Sequence, residues 1–414
     1  MSAFTCQTLA DVVVDAKPGF ACGEEDPNGV FQVRMNNVSK SGELDLTKKR
    51  YVPADHKAIS KTLLRSGDVL FNSTNSPELV GKTLLVSGLG EPAVFSNHFL
   101  RLRVDEEQLD ANFLFRWLQS QFQRGLFKSM CKQWVNQATV SRDALLGLRV
   151  PVPPLAEQRR IAHLLNHVDA LRVKRREAIT FLDGLSQSIF LDMFGDPKSN
   201  PMNWPVCKLS AAAAEFRYGT SKKSGPHGYP TLRIPNIVGG ALNLSEIKTV
   251  EVLDSEFQRL RLAEGDLLFV RTNGNPDYVG RCATFCGKSF SGVNYRQGEF
   301  IFASYLIRVR LLPGVLHPIY VREYLLSPAG RAALRAKSKT SAGQYNINIQ
   351  GLGAVSLMRP PVELQKRFTQ RVKAIEELKQ SHSSHLAALD ALFATFQHRA
   401  FRGELRTGDA ASVA

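Results

Sequence analysis

Apolar residues recur at alternating spacings of three and four between Pro153 and Gly195. They fall at Ile161, Leu164, Val168, Leu171, Ala178, Leu182, Leu185 and Ile189, with Arg175 as the one ion in phase. A mean period of 3.5 residues is the seam of a coiled coil, narrower than the stripe of an ordinary surface helix. Two prolines open the stretch and a glycine closes it, so the pattern predicts one long helix, about 55–60 Å at a rise of about 1.5 Å per residue. The same opening returns at Pro360-Pro361, 207 positions after Pro153-Pro154. Carried along by that displacement, the seam becomes Phe368, Arg371, Ile375, Leu378, His382, His385, Leu389, Leu392 and Phe396. Polar breaks at similar heights, Arg175 in one helix and His382 and His385 in the other, predict antiparallel pairing with the middles opposed. The two histidines are read as packed or hydrogen-bonded seam residues rather than metal ligands.

What precedes each long helix is also written twice. Arg34-Met35-Asn36-Asn37 is answered by Arg233-Ile234-Pro235-Asn236, and Gly67-Asp68-Val69-Leu70-Phe71 by Gly265-Asp266-Leu267-Leu268-Phe269. Thr74-Asn75 returns as Thr272-Asn273, and Val80-Gly81-Lys82 as Val279-Gly280-Arg281, all 198–199 positions on. By Phe99–Arg103 and Leu306–Arg310 the displacement has grown to 207, so the second copy gains about eight residues between Arg281 and Tyr305. Short β-type runs (67–72, 83–87, 97–104) bounded by Gly, Asn and Pro predict a sheet of modest strands. Asp110 is placed to cap a helix through Gln123, and its counterpart starts at Pro318. The fold class is α+β: two similar mixed domains, each followed by a long helix, the helices paired as an antiparallel coiled coil. The expected boundaries are 1–152 and 198–359 for the domains, 153–197 and 360–405 for the helices, and 406–414 for a small, polar, fraying tail.

Charge changes the picture more than composition does. The 414 residues carry a formal net charge of +15 and a pI near 9.6. A polyanionic partner is the natural reading, and nucleic acid leads. No run of 18 apolar residues suggests a membrane span, no signal peptide is read at the N-terminus, and a cytoplasmic protein is expected. The six scattered cysteines are read as reduced thiols; Cys282 and Cys286, spaced CxxxC without further ligands nearby, are weak evidence for metal. No P-loop, HExxH or nucleophile elbow is present. Asn275-Pro276-Asp277-Tyr278 is one residue away from the loop by which amino-methyltransferases hold a flipped base, but the first copy has Ser76-Pro77-Glu78-Leu79 there and no glycine-rich cofactor loop lies upstream. Catalysis is therefore not expected.

The polar positions fit DNA contacts better, since Arg and Lys suit guanine and Asn and Gln suit adenine. Candidates in the first copy are Asn36, Asn37, Thr74, Asn75, Gln137 and Ser141. In the second they are Asn236, Thr272, Asn273, Tyr295, Arg296, Gln344 and Asn346. Tyr295 and Arg296 lie in the inserted segment Lys288–Gln297, read as a loop that reaches into a groove. Arg124, Lys128 and Lys132, matched by Arg331, Arg335 and Lys339, are read as phosphate contacts. Two other readings stay open at this level: the shared Thr-Asn pairs are turn residues of a shared fold, and the alternating Arg101/Arg103 and Arg308/Arg310 are solvated charges on an edge strand.

The order of domain, PPxxxQ[RK]R helix, domain and PPxxxQ[RK]R helix resembles the specificity subunit of type I restriction–modification systems. GDxLFxxTN, VG[KR] and the closing AFRGEL (Ala400–Leu405) are similar to that family's phrases, and the resemblance covers roughly residues 5–405. At the end of the first helix Asp192–Pro197 departs from the AFRGEL pattern, which leaves its exit geometry open. The resemblance implies a subunit that reads double-stranded DNA in two half-sites and assembles with two adenine-methyltransferase subunits, and with restriction subunits in the full complex. It also implies that S-adenosylmethionine binds the methyltransferase partners, and ATP and Mg the restriction subunits, with no cofactor in this chain. A free-standing bipartite DNA-binding protein and a self-sufficient methyltransferase are the alternatives.

Overall fold

A computed structural model describes residues 4–134, 137–286, 295–341 and 343–405. The tail and most of the inserted segment lie outside the described residues. The chain divides into two compact units, residues 1–176 with 384–414, and residues 177–383. Both long helices are present, a central one over Leu155–Phe194 and a terminal one over Val362–Ala400. Each is shared between the units, with the larger part in the unit where it starts.

In the first unit a four-stranded antiparallel sheet runs in the order Val13–Pro18, Phe99–Val104, Val69–Asn72, Thr83–Leu85. A second sheet places Val30–Val33 between Tyr51–Val52 and Ala93–Phe95, the last pairing parallel. The second unit repeats both plans, with Ala213–Tyr218, Leu306–Leu311, Leu267–Val270 and Cys282–Thr284 in the first sheet. Its second sheet is Lys248–Val250, Tyr229–Leu232 and Ile301–Phe302. The four-stranded sheet separates two apolar cores. Val69, Phe71, Leu100 and Leu102 face the core that takes in the long helices, while Leu70, Leu84 and Phe99 face the one beneath the second sheet.

This burial on both faces overturns the reading of the strand arginines as solvated edge charges. Their strands lie inside the sheet, and Arg101 and Arg308 are each 2% exposed. Arg101 is paired with Asp15 at 2.5 Å, and Arg308 with Glu215. Each guanidinium also lies over a phenylalanine of the second sheet, Phe95 at 5.7 Å and Phe302 at 5.6 Å. Arg103 and Arg310 reach Asp68 and Asp266, the aspartates of the two GDxLF phrases. A charge enters such a layer only when paired and hydrogen-bonded.

The glutamine of each PPxxxQ phrase explains how a long helix leaves its domain. Gln158 is fully buried; its Oε1 accepts from the Asp110 N–H at 2.8 Å, and its Nε2 donates to the carbonyls of Gln108 and Pro153, both at 2.8 Å. Gln365 does the same with the His317 N–H and the carbonyls of Val315 and Pro360. One carboxamide thus ties the first turn of a long helix to the N-cap of the domain helix, Ala111–Gln123 or Pro318–Leu326. Asp110 caps the first of these helices through Phe113 N–H, as expected.

Antiparallel pairing is seen within each unit. In the first, Ile161, Leu165 and Val168 share a core with Phe393, Phe396 and Ala400; in the second, Phe190 and Phe194 pack with Phe368 and Val372. Arg172 is bonded to Asp390 at 2.6 Å, and the same ion pair is written again as Lys379 to Asp183. The expected seam is corrected in part. Arg371, Leu378 and His385 are exposed, and Val372 is buried where the displaced seam put Arg371. The reason is that the helix ends face both a partner helix and a domain helix, which needs the wider 0, 4, 7 stripe of a core helix. The departure at Asp192–Pro197 resolves as equivalence: Phe194 is buried as Phe401 is, and Gly195 and Gly403 follow at φ of 78° and 75°. A φ in that region favours glycine, the usual residue just beyond a helix.

If the buried carboxamide holds this junction, Gln158→Leu strands one amide and two carbonyls and should lower the stability of the first unit by about 3–5 kcal/mol. Gln365→Leu should do the same for the second. Denaturant unfolding of each variant is the check, and an unmoved midpoint would remove the glutamine from this role.

Candidate nucleic-acid interface

The polar segments that follow the domain helices fold into a third, small sheet in each unit. In the first, Gln137–Thr139 lies between Lys132–Trp134 and Thr74–Asn75; in the second, Gln344–Asn346 lies between Lys339–Ser341 and Thr272–Asn273. This sheet brings together residues far apart in the sequence: Thr74, Lys132 and Gln137 in one unit, and Thr272, Asn273, Lys339, Gln344 and Asn346 in the other. Lys132, Gln137, Lys339 and Gln344 are exposed. Across the strands Thr74 Oγ1 meets Thr139 Oγ1 at 3.3 Å, and Thr272 donates to Gln344 Oε1 at 3.1 Å. The first unit also has an open cleft of about 510 Å³, one residue removed from Thr74 and lined by Phe20, Gln32, Arg34, Asn36, Arg50 and His98. The link is His98, whose carbonyl accepts from the Thr74 N–H at 3.3 Å.

A short basic helix stands beside each small sheet, Leu126–Met130 or Pro328–Ala336. The glycine of the VG[KR] phrase is what lets it dock. A Cβ on Gly81, at φ 93°, would lie 2.3 Å from the Phe127 ring, and one on Gly280, at φ 72°, would lie 3.2 Å from Leu334. Lys128 on the first helix donates to Glu78 at 2.6 Å. Arg335 on the second is bonded to Asp277, the residue at the matching place. The hydrogen bond from Lys128 holds the Glu78 carboxyl below its usual range and raises the Lys128 ammonium. Arg331 is turned inward and donates to the carbonyls of Asp277 and Val279, and burial pushes its guanidinium down. Arg124 is exposed.

Five candidates already have partners within their own unit. Asn37 and Asn236 are buried turn residues: each Oδ1 accepts an arginine backbone N–H, and each Nδ2 donates to two carbonyls. Asn75 bonds Ser76 N–H and Asn72 through both ends of its amide. Ser141 is the N-cap of Arg142–Leu146 and accepts from Ala144. Tyr295 is held edge-on against Phe300 at 5.8 Å and packs on an apolar core rather than reaching outward. In each case a local backbone group or an apolar wall already satisfies the side chain that was to read a base. Arg296 is exposed, with its backbone N–H held by Glu299 at 3.0 Å.

The model of the type I restriction modification DNA specificity domain matches residues 9–180, one copy of the repeat and part of the central helix. The type I restriction enzyme EcoKI specificity subunit of Escherichia coli K12 is 27% identical over 391 residues, 90% of this chain and 82% of that protein. The MjaX specificity subunit of Methanocaldococcus jannaschii, itself named as putative, is 25% identical over 388 residues, 89% of this chain and 86% of that one. Among solved structures, the S subunit of a type I restriction–modification system from M. genitalium superposes with a TM-score of 0.61 at 14% identity, covering 97% of this chain and 96% of that one. A chain from a study of complex assembly in the type I system gives 0.55 at 19% identity, covering 97% and 98%. Over nearly its whole length the chain is similar to type I restriction–modification specificity subunits.

In this chain the repeated phrases are mostly scaffold: the aspartate of GDxLF, the glycine of VG[KR] and the glutamine of PPxxxQ all hold the fold. Sequence reasoning missed the acidic partners Glu78 and Asp277, although their 199-residue spacing matches that of the phrases around them. It also missed the Arg34 and His98 walls of the cleft, which no local pattern marks.

Two outcomes separate scaffold from contact. Asn37→Ala should destabilise the first unit by about 2–4 kcal/mol, because two carbonyls and one amide lose a buried partner. The exposed neighbour should behave oppositely: Asn36→Ala should leave the melting curve unchanged and alter only DNA binding. For the basic helix, Lys128→Ala should weaken binding of the assembled complex to all DNA sequences alike and lower the slope of log K against log salt by about one. Glu78→Gln should strengthen the same binding, measured by anisotropy across a salt series; a change confined to one base position would make Lys128 a base reader.

Proposed function

We propose that this chain reads a bipartite DNA sequence, one half with each unit, and directs methyltransferase subunits to it without transferring a methyl group itself. The observation that carries this reading is the third sheet, built twice on one plan and furnished with different side chains. The lysine and glutamine of the sheet are common to both units, Lys132 with Gln137 and Lys339 with Gln344, whereas Ala138 and Thr139 stand in the first unit where Tyr345 and Asn346 stand in the second. A shared scaffold with unlike polar surfaces is what two readers of two different sequences need, since phosphate contacts position and base contacts specify. The relatives' names, specificity subunits of type I restriction enzymes, support DNA together with methyltransferase and restriction subunits as partners. Two methyltransferase subunits, one for each copy of the repeat, is the stoichiometry we favour. S-adenosylmethionine is assigned to those partners, and ATP with Mg to the restriction subunits.

The test is an exchange. Replacing residues 5–149 with the equivalent domain of a relative should change one half of the methylated sequence and leave the other intact. The purified chain alone should neither bind S-adenosylmethionine nor methylate DNA. A swap that changes both halves, or transfer by the isolated chain, would overturn the assignment.

A further inference from the structure

We infer that Arg281 reads a guanine in the half-site of the second unit and that Tyr278 holds it flat for that purpose, an inference that rests on the DNA-recognition reading above. Arg281 closes the loop that runs from the small-sheet strand Thr272–Asn273 past Asp277, the partner of Arg335. Its guanidinium lies 3.7 Å from the centroid of the Tyr278 ring, and its Nε–H donates to the Asp277 carbonyl at 3.1 Å. Tyr278 is 40% exposed, so the stack stands at the surface rather than in the core. Among the described residues the two terminal nitrogens of Arg281 have no hydrogen-bond partner.

This arrangement suits a base edge more than a phosphate. A phosphate contact asks for charge, which a flexible lysine supplies, and Arg335 already brings charge to this loop through Asp277. Stacking on an aromatic face and fixing Nε instead set the plane of the fork, and that matters only for a planar pair of acceptors. Guanine O6 and N7 are such a pair in the major groove.

The first unit shows what the same position does when it is not a reader. Lys82, the counterpart of Arg281, is 6% exposed and donates to the carbonyls of Met35 and Val38 at 2.7 and 2.5 Å. Leu79 stands in the place of Tyr278. One phrase, VG[KR], therefore ends in a scaffold lysine in one unit and a presented arginine in the other. Such a difference between otherwise matching domains is expected of a residue that tells half-sites apart.

The experiment uses the full chain assembled with its methyltransferase subunits in a host free of other methylation, with long-read mapping of methylated bases. Wild type, Arg281→Lys, Arg281→Gln and Tyr278→Leu are compared. Both arginine variants should keep the first half-site, and at one G·C position of the second their discrimination should fall about 10- to 100-fold. Tyr278→Leu should relax the same position less. Arg281→Lys keeps the charge and the length, so its result stands even if Arg281→Gln fails to assemble. An unchanged second half-site in Arg281→Lys would overturn the proposal. So would a uniform loss on all sequences with a salt slope lower by about one, which marks a phosphate contact. A wild-type complex with no defined second half-site would instead overturn the DNA-recognition reading itself.

Discussion

The geometry of each unit depends on one buried carboxamide. Gln158 and Gln365 each satisfy one amide and two carbonyls at the point where a long helix leaves its domain. A helix start carries unpaired N–H groups and sits beside a loop whose carbonyls also lack partners, so burying that junction is costly unless one side chain serves both. Glutamine has the acceptor, the two donors and the reach; glutamate and leucine lack the donors. With the junction fixed, the direction of the helix relative to its own domain core is fixed too, and Ile161 or Phe368 is carried into that core.

The same economy separates scaffold from surface. The interior strand of each four-stranded sheet carries a paired arginine that touches the second sheet through a phenylalanine, so the two layers of a unit are joined by charge and ring rather than by apolar contact alone. Breaking one partner of such a pair would leave a buried charge uncompensated, which is far worse than never having had the pair. These residues are therefore fixed by the fold and cannot vary with the DNA sequence to be read. Variation is left to the small sheet, the cleft and the loop over 274–281.

Much of this was legible in the sequence. The duplicated phrases predicted two equal domains, and the proline, glycine and 3.5-period pattern predicted both long helices. Asp110 and Pro318 marked the helix starts correctly. What failed did so for physical reasons. Arg371 was placed on the seam because a constant displacement was carried through a helix whose ends face two partners, where the stripe widens and Val372 is buried instead. Arg101 was read as an edge charge because alternation alone does not reveal which strand lies inside a sheet. Asn37 and Asn75 looked like adenine readers because a turn amide and a groove amide have the same composition and differ only in what already surrounds them.

The acid clamps show how electrostatics could serve selectivity as well as affinity. A chain with a net charge of +15 attracts any DNA, so its problem is to avoid holding every sequence equally well. Glu78 and Asp277 sit at matching places and each bonds a cation of the basic helix, Lys128 or Arg335. An exposed pair of this kind adds little to stability. On the proposed DNA-recognition reading its effect on binding is different: a phosphate would compete with a carboxylate for the cation and approach a negative charge to do so. That cost applies to every sequence, whereas the gain from base contacts applies only to the right one. Subtracting a constant from affinity leaves the ratio between right and wrong sites intact while lowering occupancy of the vast excess of wrong ones. Two acids held at equivalent positions, in domains whose reading surfaces otherwise differ, fit that role better than a structural one.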